Sequence, residues 1–195
     1  GETGPVLTAL LQSGADITRD ETINAIPQTF ARVTDKAQAL QVVREALSKY
    51  QQGAHAPAAW TTIGRMELGM DNDAAALASA RKGHAADPAS PFPPLLALEL
   101  VERNVDGAEG IVRDHLRVAN PKGPFSSQVA LAYARILVDL QRTAEANTLL
   151  DTLTTNQPDV CRCLAAQSHL ASSGEQAASG QHFVAEPHAP GTRSR

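Results

Sequence analysis

Two cysteines, Cys161 and Cys163, are all that the 195 residues contain, which excludes a disulfide framework. One residue separates them, whereas metal sites and thioredoxin-like motifs place two residues between their cysteines. On a helix, residues two apart point in different directions, so a bridge between them would distort it. One cysteine buried as a small hydrophobe and one near the surface is the preferred reading over a redox or metal role. The six histidines, His55, His84, His115, His169, His182 and His188, form no H-x-x-x-H or H-E-x-x-H pair, which leaves a metalloenzyme without an anchor. No G-x-S-x-G elbow presents a serine, and the glycines make no phosphate-cradling run. An enzyme has no support in these residues, and neither a cofactor nor a metal is expected.

Charge of one sign is missing too. The formal net charge is −4, with acidic and basic residues mixed along the length. A nucleic-acid partner would call for a basic stripe, and none is visible. No apolar run approaches the ~18 residues of a membrane span; Val129 to Leu140 comes nearest, broken by Arg135 and Asp139. Aromatics make up only 4% of the chain, and β-branched residues are scattered rather than alternating with polar ones. Abundant alanine instead favours helices packed closely through small side chains. No secretory signal opens the sequence, a segment that a mature chain lacks in any case.

What the chain does have is a spaced set of landmarks. Trp60, Ile63 and Gly64 sit three and one apart, Ala76 follows Gly64 by twelve residues, and Pro88 follows Ala76 by twelve. Gly64, Ala76 and Pro88 return as Ala134, Ala146 and Pro158, each 70 residues on, with Tyr133 beside the second set. A large apolar residue, two tiny ones and a closing proline are the layout of a helix–turn–helix repeat. The stretch resembles the tetratricopeptide repeat (TPR), whose pattern is W-x-x-L-G-x-x-Y, then Ala, Phe and Pro. Glu67 stands in place of Tyr and Ala80 in place of Phe, so the copy is divergent. Two standard repeats would span about 68 residues, so the intervening copies carry two extra. The resemblance implies an all-α fold, a right-handed α-solenoid of about four to five stacked helix pairs.

Taken in order, residues 5–53 read as degenerate N-terminal helices. Pro5 to Ser13 is helical and stops at Gly14; Thr18-x-x-Glu21 offers a capping box for a second helix, which Pro27 should kink or split before Phe30. Phe30 and Ala31 fall near the wedge and small-residue positions. Asp35-x-x-Gln38 caps a helix from Lys36 to Tyr50, with Leu40, Val43, Leu47 and Tyr50 on its buried face, and Gly53 ends the pair. Repeats are expected over 57–90, 91–124 and 127–158. Pro57 opens the first, and Asp71-Asn72-Asp73 forms its turn and cap. The second starts among the prolines of Ser90 to Pro94, turns at Asn104-Val105-Asp106 with a turn about two residues short, and caps with Asp106-x-x-Glu109. The break at Asn120 to Pro124 precedes the third, whose second helix Thr143 can cap. Residues 159–190 read as a C-terminal capping repeat with a polar outer face, and 1–4 and 191–195 as cloning remnants or tails.

Within the TPR family the first helix of each repeat lines a concave groove where partner segments lie. Carried over by position, that groove includes Thr61, Arg65 and Leu68, then Gln128, Leu131, Arg135, Val138 and Asp139, with Leu95, Glu99 and Glu102 from the middle copy. Arg65 and Arg135 could grip a partner's carboxylates. The plainer alternative, preferred here, is that they are solvated or paired with Glu99, Glu102 and Asp139. Thr61 and Arg65 do not reproduce the Lys/Asn set of chaperone-binding TPRs, so that clamp is not expected. The resemblance thus implies a non-enzymatic scaffold that holds a protein partner. The alternative is a structural module that self-associates end to end through its terminal repeats. The alanine-rich, Asp-Pro-terminated style is similar to TPR proteins of the proteobacterial cell envelope, which favours a periplasmic or exported setting. A buried indole would make Trp60→Ala cost roughly 3–5 kcal/mol, and overpacking at Gly64 or Ala134 about 1–3 kcal/mol.

Overall fold

A computed structural model describes residues 20–120 and 123–156. Among these residues there are eight α-helices and no strands: α1 (Asp20–Ala31), α2 (Lys36–Leu47), α3 (Ala56–Leu68), α4 (Asp73–Ala86), α5 (Phe92–Glu102), α6 (Ala108–Val118), α7 (Pro124–Asp139) and α8 (Thr143–Asn156). The expected all-α class is observed. The helix expected over Pro5 to Ser13, the repeat expected over 159–190, and Pro158, Cys161 and Cys163 lie outside the described residues.

Local chemistry sets most of the helix starts. The Asp35 carboxylate accepts from the Gln38 backbone N–H at 3.0 Å and caps α2. Asn72 does the same for Ala75 at 3.2 Å and caps α4. Prolines sit in the first turns of α3, α5 and α7, where a missing N–H forfeits no intrahelical bond. Pro27 departs from expectation: α1 runs through it unbroken. Pro27 removes one backbone donor, while Ile26 and Phe30 on either side are buried against neighbouring helices and hold the segment helical. Ala31, expected at a close helix contact, is exposed.

Three helices end in the same turn. Asp71, Asn104 and Gln141 all have positive φ, at 56°, 58° and 61°. In each case the N–H of that residue reaches back three residues and the next N–H reaches back five: Asp71 to Leu68 and Asn72 to Glu67, Asn104 to Val101 and Val105 to Leu100, Gln141 to Val138 and Arg142 to Leu137. These are Schellman closures, built here without the glycine that usually occupies the left-handed position. The link from closure to next helix varies. The cap Asn72 is adjacent to Asp71, but α6 begins behind Gly107, three residues after Asn104. The middle turn is therefore longer than its neighbour, not shorter as expected. The Asp106-x-x-Glu109 box does not form either; Gly107, with φ 85°, is the N-cap. Likewise Thr143 lies inside α8, and the Arg142 carbonyl accepts the first helical bond, from Ala146.

The helices pack in sequence order. α3 lies on α4 and α5, α5 on α6 and α7, and α7 on α8, while α4 also touches α5 and α6, and α6 touches α7. α1 and α2 pack on α3 from the other side. Two apolar clusters result. Ile26 and Phe30 of α1 and Val43 and Leu47 of α2 enclose Ala59, Ile63 and Met66 of α3. Ala76 and Ala80 of α4 join Leu96, Leu100, Val112, Tyr133, Leu137 and Ala146 in the second. Between them Gly64 is the closest approach: a Cβ there would stand 2.3 Å from Leu96 Cδ2 and 3.2 Å from Ser79 Cβ. Trp60 is only half-buried, with its indole N–H donating to the Gln51 carbonyl at 3.3 Å and the Lys82 ammonium 4.4 Å above its ring. Ile63, wholly buried, is the wedge instead.

Candidate functional site

The residues expected to line a groove divide into two groups. α3 is covered by α1 and α2 on one side and α4 and α5 on the other, so Thr61 and Leu68 are buried and closed to a partner. Arg65 is mostly covered, and its Nε donates to Glu99 Oε1 at 3.2 Å, an ion pair tying α3 to α5. The pairing preferred for Arg65 on sequence grounds is the one observed. Burial raises the Glu99 carboxyl above its usual range, and Arg65 pulls it back down. On α7 the outcome is different. Gln128, Arg135, Val138 and Asp139 are exposed and Leu131 is half-buried. On α5, Leu95 and Glu99 are half-buried and Glu102 is exposed. The accessible part of the expected surface is thus the outer side of α5 and α7, not α3.

Three polar clusters were not anticipated. Glu67, where the TPR pattern carries a tyrosine, is buried to 3% exposure, accepts from Arg44 of α2, and accepts from the Ser79 hydroxyl of α4 at 2.6 Å. One carboxylate therefore joins three helices. A charge inside a core persists only when paired, and the signal for it was a glutamate at a core position.

The second cluster spans α6, α7 and α8. Arg142 grips Glu109 through two nitrogens, at 2.8 and 3.1 Å, and Glu145 at 2.7 Å. Arg113 joins Glu109 at 2.6 Å and Glu145 at 2.9 Å, and its Nε donates to the Tyr133 hydroxyl at 3.1 Å. The Tyr133 hydroxyl in turn donates to Glu109. Arg142, above all, holds the Glu109 carboxyl down to about 2, while burial pushes the Tyr133 phenol up. Beside it a cleft of about 200 Å3 opens between Val101, Asn104, Val105, Leu140 and Arg142. Both guanidinium groups are already engaged with carboxylates, so the cluster is a brace between helix pairs rather than an open anion site.

The third cluster joins α4 to α6. His84 Nε2 lies 2.7 Å from Asp114 Oδ2, and that contact lowers the Asp114 carboxyl. His115, wholly buried, donates from Nδ1 to the Pro88 carbonyl at 3.1 Å. Burial lowers its pKa, against the opposing pull of that hydrogen bond to Pro88. Among the described residues no group of three or more histidine, cysteine, aspartate or glutamate side chains is placed to hold a metal ion. No helix there is long and apolar enough to cross a membrane.

No family model matches the chain, and no curated protein or solved structure matches it either. A functional reading rests on the helices and their surfaces alone.

Proposed function

We propose that the chain is a non-enzymatic scaffold of TPR-like helix pairs whose outer first-helix surface, on α5 and α7, holds a protein segment. The observation that carries this reading is the recurrence of one joint. The same Schellman closure ends α3, α5 and α7, and the pair α3–α4 packs on α5–α6, which packs in turn on α7 of the pair α7–α8. A chain that repeats its unit cannot bury either face of a pair alone and must stack it, which is the physical basis of a solenoid. Such a stack leaves one row of helices facing outward as a continuous surface. Here that row offers leucine, valine and glutamine next to Arg135, Glu102 and Asp139. Mixed apolar and charged character suits an extended or helical peptide.

The test is capture of partners from source-organism lysate by wild type, by Arg135→Glu, and by Asp151→Arg on the exposed part of α8. A partner retained by Asp151→Arg and lost by Arg135→Glu, with unchanged helicity, is the expected result. Retention by both variants removes α7 from the binding surface and with it this reading.

A further inference from the structure

Met70, Val118, Phe125 and Val138 are the exposed large hydrophobics of the described residues, and two of the four stand on α7. Phe125 is 50% exposed and Val138 46%. The outward side of α7 consists of Phe125, Gln128, Leu131, Ala132, Arg135 and Val138, with Asp139 at its end, while Val129, Tyr133 and Leu137 fill the core side. At 3.6 residues per turn these outward positions cover an arc of about 140°.

That face mirrors itself about one point, between Leu131 and Ala132. Stepping outward by equal distances, Leu131 is matched by Ala132, Gln128 by Arg135, and Phe125 by Val138. Apolar is matched with apolar, and an amide with a guanidinium. A helix turned end for end about a two-fold axis through that point sets every residue against its mirror mate. Phe125 would then meet Val138 of a second copy, and the Arg135 guanidinium would donate to the Gln128 carbonyl of that copy, each contact made twice. Arg135 and Asp139 cancel in charge, so the face of one copy does not repel the face of another.

We propose that α7 is a self-association face on which a second copy of this chain docks antiparallel. The inference rests on reading the first-helix surface as the binding side, and it names the occupant. Sixteen residues of helix make a strip about 24 Å long and about 10 Å wide, well below the ~800 Å2 per partner of a stable interface. The dimer is therefore weak and reversible, and is to be sought at protein concentrations from about 10 to 500 µM.

Sedimentation equilibrium of the full chain across that range tests it. Wild type is expected to pass from monomer to dimer. Val138→Asp, at an exposed position that leaves the core untouched, is expected to weaken dimerisation at least about tenfold. The register is tested separately. Gln128→Glu sets a carboxylate against Arg135 of the second copy and should tighten the dimer, Gln128→Lys should weaken it, and Gln128→Lys combined with Arg135→Glu should restore it. A wild type that stays monomeric, or a dimer indifferent to Val138→Asp, overturns the proposal; Gln128 variants without opposite effects overturn the antiparallel register. A monomeric wild type whose captured partner is still lost with Arg135→Glu removes self-association alone and leaves the scaffold reading standing.

Discussion

Gly64 and Gly110 both lie inside helices, yet replacing each with alanine should change stability in opposite directions. Alanine is favoured over glycine in a helix by about 0.8–1 kcal/mol. At Gly110, in the exposed first turns of α6, an added Cβ meets no atom within 4 Å. That substitution should therefore stabilise the chain by about 0.5–1 kcal/mol. At Gly64 the same Cβ would stand 2.3 Å from Leu96 Cδ2 and 3.3 Å from the Ala76 carbonyl oxygen, against the ~3.5–4.0 Å of an unstrained carbon contact. Leu96 is wholly buried and has no solvent to swing into, and the Ala76 carbonyl belongs to the backbone of α4. Relief requires α5 to move off α3. Overpacking of this kind costs about 1–3 kcal/mol, so after the propensity gain Gly64→Ala should lose up to about 2 kcal/mol. Urea titrations followed by far-UV circular dichroism measure both. Leu96→Ala supplies the control: it should cost less in the Gly64→Ala background than in wild type, because the added methyl occupies part of the space it leaves. If Gly64→Ala stabilises as much as Gly110→Ala, the close α3–α5 approach is wrong.

The other expectations concern turns and buried charge. Gln141→Gly should stabilise by roughly 0.5–1 kcal/mol, because relief of the left-handed backbone at Gln141 outweighs the entropy glycine adds to the unfolded chain. Asn104→Gly should change less in the same urea titration, since asparagine tolerates that conformation. Arg44→Ala should cost about 2–3 kcal/mol by leaving the Glu67 carboxylate buried with only Ser79; a double-mutant cycle with Glu67→Gln should recover much of that loss, and strict additivity would refute the pairing. Acid stability should depend on Glu109. Its carboxyl is held at about 2 in the folded chain against about 4.3 unfolded, so its stabilisation is complete above that unfolded value and fades as pH falls toward 2. Glu109→Gln should flatten that limb of the pH–stability curve, by a modest amount because the cluster is open to solvent.

Trp60 shows how far a motif carries. Its spacing to Gly64 and Ala76 located α3 and α4 correctly, because helix spans follow from apolar periodicity, prolines in first turns, and capping side chains such as Asp35 and Asn72, all local to the sequence. The indole itself turned out half-buried, roofed by Lys82, since burial depends on what the neighbouring helices supply. The recurring closure at Asp71, Asn104 and Gln141 was hidden for a related reason. Glycine normally announces a left-handed turn, and none of the three is glycine, so the residue types carried no flag for the backbone bonds that close them. Pro27 likewise read as a break, and the buried Ile26 and Phe30 on either side of it kept the helix whole.

What the sequence determined by itself is therefore the set of helices, most of their starts, and the 70-residue offset that relates Gly64 and Ala76 to Ala134 and Ala146. The helices and their starts rest on interactions within one or two turns of chain, and the offset is a property of the residue order. Tertiary structure alone decided which of the groove candidates face solvent. Thr61 and Leu68 sit on α3 at positions equivalent to ones left open on α7, yet they are buried because α1 and α2 cover that helix. It also decided the pairings of Glu67 with Arg44 and of Glu109 with Arg142, which join residues 23 and 33 positions apart. A charge finds its partner by proximity in space, and proximity across that distance exists only once the helices have stacked.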